Sequence, residues 1–174
     1  MKKSMSTILL SVLLQLVGGT AHAQQASGVI ANANLSLEQA TALMQSAFAF
    51  ARQNNTAVTV VVVDSGGHVI TGARMNGMPF GTFDVARGKA IASVATGGES
   101  GKTLMERYKA NPIVFGQISS LSYGGPMFPS QGSLPIFING LLVGAAAGSG
   151  ASSQFDEDAV RAGIAAIGAS SSRP

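Results

Sequence analysis

The chain contains no cysteine and no tryptophan, only two histidines, and few charges: 11% of its residues are Asp, Glu, Lys or Arg. Each shortage removes a class of chemistry. Without thiols there is no disulfide framework, no thiolate zinc or iron–sulfur centre, no cysteine nucleophile and no thioether-linked haem. What the sequence does have is apolar and small. Of its 174 residues, 46% are hydrophobic and 22 are glycine, with a formal charge of +3.

That positive charge is unevenly placed. Met1-Lys2-Lys3 is a basic start, Ile8 to Val17 is an apolar run broken only by Ser11 and Gln15, and Ala21-His22-Ala23 is an A-x-A cleavage pattern. The order predicts a secretory signal peptide over 1–23, with an apolar core too short to span a bilayer. No cysteine follows it to carry a lipid, and no twin arginine precedes it. Export of an unfolded chain to a periplasmic or secreted location is expected, with any cofactor loaded afterwards and no membrane span once the leader is gone. Lys2 and Lys3 are two of the eleven basic residues, so nine remain against eight acidic ones. No basic stripe with interleaved aromatics is left, and nucleic acid is not an expected partner. His68 is the one histidine left after residue 23, which excludes a metal site built on two histidines of a single chain.

The rest reads as one domain over 35–168, after a flexible lead-in at 24–34 and before a tail at 169–174. Ser36 with Gln39 predicts a capping box for a helix ending near Gln53-Asn54. Ala57 to Val63 is apolar on both faces and predicts a strand buried between layers. Asp64-Ser65-Gly66-Gly67 is a turn, and His68 to Met75 a returning strand. Thr82 is expected to cap a helix over Phe83 to Ala95, and Gly101 to Gln117 to form one or two helices broken at Asn111-Pro112. Asn139-Gly140 between apolar runs is a type I′ hairpin signal. Ser153 with Asp156 is expected to cap the last helix, with Asp156, Glu157 and Asp158 at its positive end. Helix, hairpin, helices, hairpin, helix predicts an α/β chain of the α+β type: a single-domain three-layer α/β/α sandwich around an antiparallel sheet.

Chemistry has few carriers. Lys89 lies on a predicted helix among Val85, Ala86, Ala92 and Ser93, where an ammonium needs water, a carboxylate or an anion. Burial would ready it for proton transfer or Schiff-base chemistry; snorkelling of its stem to solvent is the plain alternative. Asp84 and Arg87 are spaced for a surface ion pair. His68, just past the turn, is either an exposed edge residue or a haem ligand or general base. Arg74 is placed to hold a carboxylate or haem propionate, or to make a surface pair. The loop around Tyr123 and Met127 is suited to a pocket wall near a metal, or to plain packing. Gly97-Gly98-Glu99 carries only a weak anion-binding signal, with no phosphate-loop pattern beside it. No G-x-S-x-G elbow occurs.

The ordered segments LSLEQATALMQSAFAFARQNN, VTVVVVDSGGHVITGARMNG, FGTFDVARGKAIASVATG, LPIFINGLLVGAAAGSG and QFDEDAVRAGIAAI resemble the GlcG/HbpS-like (DUF336, haem-degrading-protein-like) family over about Leu35 to Ile167. The resemblance implies a profilin-like sandwich and homo-oligomers from dimer to octamer. Some members bind haem or act as redox accessories; others belong to small-molecule catabolism or are fused to cobalamin adenosyltransferases. Fold is therefore better constrained than function. The motif positions carried over are Asp64, Gly66, Gly67, Arg74, Asp84, Lys89, Pro135 and Gly144. One departure stands out: some haem-binding relatives use a histidine on the opening helix, and this helix has none.

The leading expectation is an exported, oligomeric haem- or small-ligand-binding protein, haem-handling or redox-accessory in role. Its pocket is expected between the Lys89 helix, the His68–Met75 strand and the Tyr123–Phe128 loop. Ligand contacts are expected from His68, Arg74, Lys89, Glu99, Tyr123 and Met127, with His68 as haem ligand. The rival is a lyase or isomerase acting on a small carbonyl or carboxylate metabolite, with Lys89 as base or electrophile beside Arg74 and Asp84. A third reading is an interaction module whose surface, rather than its pocket, matters.

Overall fold

A computed structural model describes residues 33–120 and 125–173. The leader expected over 1–23, most of the lead-in and Tyr123 lie outside the described residues. Helix α1 (Leu37–Gln53) begins as its sequence dictates: Ser36 Oγ accepts from the Gln39 N–H at 3.2 Å, and Gln39 Oε1 accepts from the Ser36 N–H at 3.3 Å. Strands β1 (Thr59–Asp64) and β2 (Val69–Arg74) form the first hairpin. Helices α2 (Thr82–Ala95), α3 (Gly101–Ala110) and α4 (Pro112–Ser120) follow, with the break at Asn111-Pro112 where a proline ends one helix and opens the next. Strands β3 (Ser133–Ile138) and β4 (Leu141–Ser149) form the second hairpin, and α5 (Ser153–Ala166) closes the chain. Asn139 (φ 51°) and Gly140 (φ 77°) supply the two left-handed residues that the hairpin turn requires.

The sheet is antiparallel throughout, in the order β2-β1-β4-β3. β1 and β4 pair at the centre, so the two hairpins are joined into one surface. The alternation in β1 divides the core. Val58, Val60 and Val62 pack with Leu43, Ala47 and Phe48 of α1 and with Val160 and Ile164 of α5. Val61 and Val63 face the other way, onto Ala86 and Ala90 of α2 and Ala145 and Ala147 of β4. All five of these valines are completely buried, each contributing about 1.5–3 kcal/mol by leaving water. Small side chains on α2 and β4 set that helix close to the sheet. Its far side, through Ile91 and Ala92, packs on Leu104, Phe115 and Met127, so α3 and α4 cover α2 from outside. A helix buried on both sides cannot be amphipathic.

Two local expectations are corrected. Thr82 does not cap α2: Gly81 precedes the helix without a side-chain cap, and the Thr82 hydroxyl instead donates to Pro79 O at 2.7 Å and lies 2.6 Å from Thr59 Oγ1. The cap of α5 is Ser152, whose Oγ accepts from the Phe155 N–H, and Ser153 is its first helical residue. After α5, Ser170 pairs antiparallel with Phe137 through two backbone hydrogen bonds of 2.8 and 2.9 Å. At the start of the described residues, Asn34 Oδ1 accepts from the Ser65 N–H and hydroxyl, and the Leu35 N–H donates to Val143 O at 3.0 Å.

Candidate functional site

The sheet end that carries the β1–β2 turn opens into a cleft of about 630 Å³, within the range of about 300–1,000 Å³ usual for small-molecule sites. Asp64, Ser65, Gly66 and His68 form one side, Ala33 and Asn34 another, and Leu141 and Leu142 an apolar wall. The turn builds itself from its sequence. Asp64 Oδ1 accepts from the N–H groups of Gly66 and His68, both at 2.9 Å, which is the turn-forming habit of an aspartate. Gly67 takes φ 83°, a backbone conformation that a side chain would strain. The same Asp64 oxygen lies 3.4 Å from His68 Nδ1, with the histidine side chain 80% exposed. Asn34 Oδ1 accepts from both the Ser65 N–H and its hydroxyl, fixing Asn34 in the cleft wall.

Lys89 lies elsewhere. Its Nζ is neither in solvent nor in a cleft, but donates to Gly148 O at 3.0 Å and to Asp156 Oδ2 at 3.4 Å. Both side chains are nearly inaccessible, at 5% and 3%. The pair runs from α2 on one face of the sheet to the first turn of α5, past the end of β4. Glycines make the room: a Cβ at residue 132 would come 2.8 Å from Nζ, and one at residue 148 would come 2.7 Å from Asp156 O. Burial pushes the Lys89 ammonium below its ordinary pKa, with the Asp156 charge working against that shift. Burial likewise pushes the Asp156 carboxyl up, opposed first by the Lys89 charge and then by the Ala151 N–H.

The other expected residues are dispersed. Arg74 donates to Met78 O at 2.6 Å and so closes the loop after β2. Asp84 is exposed at the start of α2. Glu99 lies 3.7 Å from Arg107, both half-exposed. Met127 is buried against α2, α3 and α4 and borders a second cleft of about 350 Å³ beside Tyr108, Ser119 and Phe128. His68 and Met127 line different clefts, and Lys89 lines neither. Two contributors escaped sequence reasoning. Asn34 sits in a polar, small-residue stretch with no pattern to mark it. Asp156 reads as a helix-start carboxylate, and its partner is 67 residues away.

A family model described as haem degrading protein HbpS-like matches residues 35–165. The chain belongs to the HbpS-like family. Among solved structures, a double mutant of Streptomyces reticuli HbpS is 25% identical over 82% of this chain and 93% of its own, with a TM-score of 0.71. A PduOC:heme complex is 26% identical over 80% of this chain and 99% of its own, with a TM-score of 0.70. The Klebsiella pneumoniae protein ORFY, a DUF336 protein, shares the fold at 19% identity and a TM-score of 0.72, covering 83% and 98% of the two chains. No curated protein sequence matches this one. The fold expected from the sequence is thus the fold of HbpS-like proteins, and haem enters the functional question through the family and through the PduOC complex.

Proposed function

We propose that this HbpS-like chain is an exported, oligomeric haem-binding protein of a haem-handling or redox-accessory kind, with the Asp64–His68 cleft as its haem site. One observation carries the reading: the single histidine after residue 23 stands exposed in a cleft of about 630 Å³, one ring nitrogen 3.4 Å from a fixed carboxylate. His68 Nε2 has no partner among the described residues. The residues present fit the group. His68 would hold the iron through a ring nitrogen, Leu141 and Leu142 would give the ring an apolar surface, and Asn34 and Ser65 a polar margin. Neither lysine nor arginine lines the cleft, so the propionates would sit at its mouth in water. Haem held there would supply redox-active iron chemistry. The leader and the family support export and oligomer formation respectively.

The Lys89 enzyme reading has no comparable support, because its ammonium is occupied by Gly148 O and Asp156 and lines neither cleft. Haem titration followed by absorbance tests the proposal. A saturable Soret shift at micromolar haem is expected, lost in His68→Ala. An absence of saturable binding overturns it.

A further inference from the structure

We propose that residues Ser170–Arg173 form a strap that holds the end of the β3–β4 hairpin against the turn after α2, and through it sets the apolar wall of the Asp64–His68 cleft. The strap has three anchors. Ser170 exchanges two backbone hydrogen bonds with Phe137, at 2.8 and 2.9 Å. The Ser171 hydroxyl accepts from Arg161 of α5 at 3.0 Å. Arg173 donates to Gly97 O at 3.3 Å, just past the end of α2, and its guanidinium carbon lies 5.7 Å from the centroid of the Phe137 ring. One strap residue therefore grips Phe137 by its backbone and another covers its ring. Only 3% of Phe137 is accessible.

From Phe137 the contacts run on to the cleft. Phe137 stands opposite Leu142 in the β3–β4 ladder, and their side chains converge on Gly98. A Cβ at residue 98 would come 2.7 Å from Phe137 Cζ and 3.3 Å from Leu142 Cδ1. Gly98 also takes φ 95°, so a glycine there lets both side chains close on the turn after α2. Leu142, with Leu141, is the apolar wall of the cleft. The ladder shifts register between Ile136 and Phe137, so the hairpin beyond that point lacks the regular pairing of the sheet centre. The strap supplies the missing hold. Its own anchors are at the surface, with Ser170 and Arg173 exposed, so it opens without unfolding the core. Seated, it fixes Leu142 through Phe137; released, it leaves the wall free to move. A ligand packed on the wall favours the seated strap, and by linkage the seated strap favours the ligand. The effect on binding rests on the haem reading above; the hold on the hairpin does not.

The experiment measures amide hydrogen exchange in the whole protein, in Arg173→Ala and in Ser170→Pro, and titrates each with haem. Arg173→Ala removes the guanidinium and keeps the backbone pair, so it serves if Ser170→Pro does not fold. Ser170→Pro removes the N–H that donates to Phe137 O. Each is expected to quicken exchange from Phe137 to Leu142 about tenfold, while Val60 to Val63 stay protected. Each is also expected to weaken haem binding about 5–150-fold. In the unaltered protein, haem is expected to slow exchange from Ser170 to Arg173 in return. Unchanged exchange from Phe137 to Leu142 in both variants overturns the strap. Faster exchange there with an unmoved haem affinity overturns its link to the cleft. An unaltered protein that binds no haem overturns the haem site alone, and exchange in the free protein then decides the strap.

Discussion

Two nitrogen–carboxylate contacts of this protein have the same length, 3.4 Å, and opposite surroundings. Lys89 and Asp156 meet with 5% and 3% of their side chains accessible, whereas His68 and Asp64 meet with 80% and 23% accessible. Length alone therefore says nothing about role. In the interior, each charge has lost water, and the pair survives because a carbonyl, an N–H and the opposite charge replace it. At the cleft, the histidine keeps its water and is free to exchange it for a ligand. The first arrangement holds α2 and α5 to one sheet end; the second leaves a reactive atom available. A family motif that includes both Lys89 and Asp64 thus mixes residues of two different kinds.

The sharpest way to break this contrast is truncation of one interior partner. Lys89→Ala or Asp156→Ala leaves the other charge buried and uncompensated, and each is expected to cost about 3–5 kcal/mol, read by chemical denaturation. Acidity separates the regions next. Asp156 has its folded pKa raised, so its contribution is fully present below 3.8 and is lost as pH rises through the folded value. Lys89 has its folded pKa lowered, so its contribution is complete above 10.5 and is lost as pH falls through the folded value. A Lys89→Met, Asp156→Asn double variant is expected to lack both slopes, so wild type should gain stability relative to it toward each pH extreme. Matching profiles would show that the pair does not titrate with folding. A smaller effect is expected for Asn34→Ala, which frees the lead-in from Ser65: about 1 kcal/mol at most, with weakened haem binding in the same titration. Smallest is the stability change in His68→Ala, expected within about 0.5 kcal/mol; a larger loss in thermal unfolding would mean that the exposed pair is structural after all.

The same contrast explains what was legible in the sequence. Signals that act over a few residues were plain: Ser36 with Gln39, the alternation through Val58 to Val63, the Asn139-Gly140 turn and the break at Pro112 each act within one element. The Asp64 turn was legible for the same reason. Lys89 was recognisable as a charge out of place, but its partner was not, because a contact spanning 67 residues depends on how β4 and α5 cross the sheet end. Proximity of two carboxylates on α5 gave no reason to prefer Asp156. The cap of that helix was misplaced by one residue because Ser152 and Ser153 offer the same hydroxyl. Met127 looked like a ligand donor in a flexible loop, yet α2 needs cover on its outer side and takes that side chain for it.

The pairing of Ser170 with Phe137 has one more consequence. The sheet has two margins, β2 and β3, and only β3 has its backbone groups engaged by another part of the chain among the described residues. Exposed margins are templates for further strands. Of the two margins, β2 is therefore the one that nothing beyond its neighbour β1 pairs with among the described residues, as a chain end has one side left to bond.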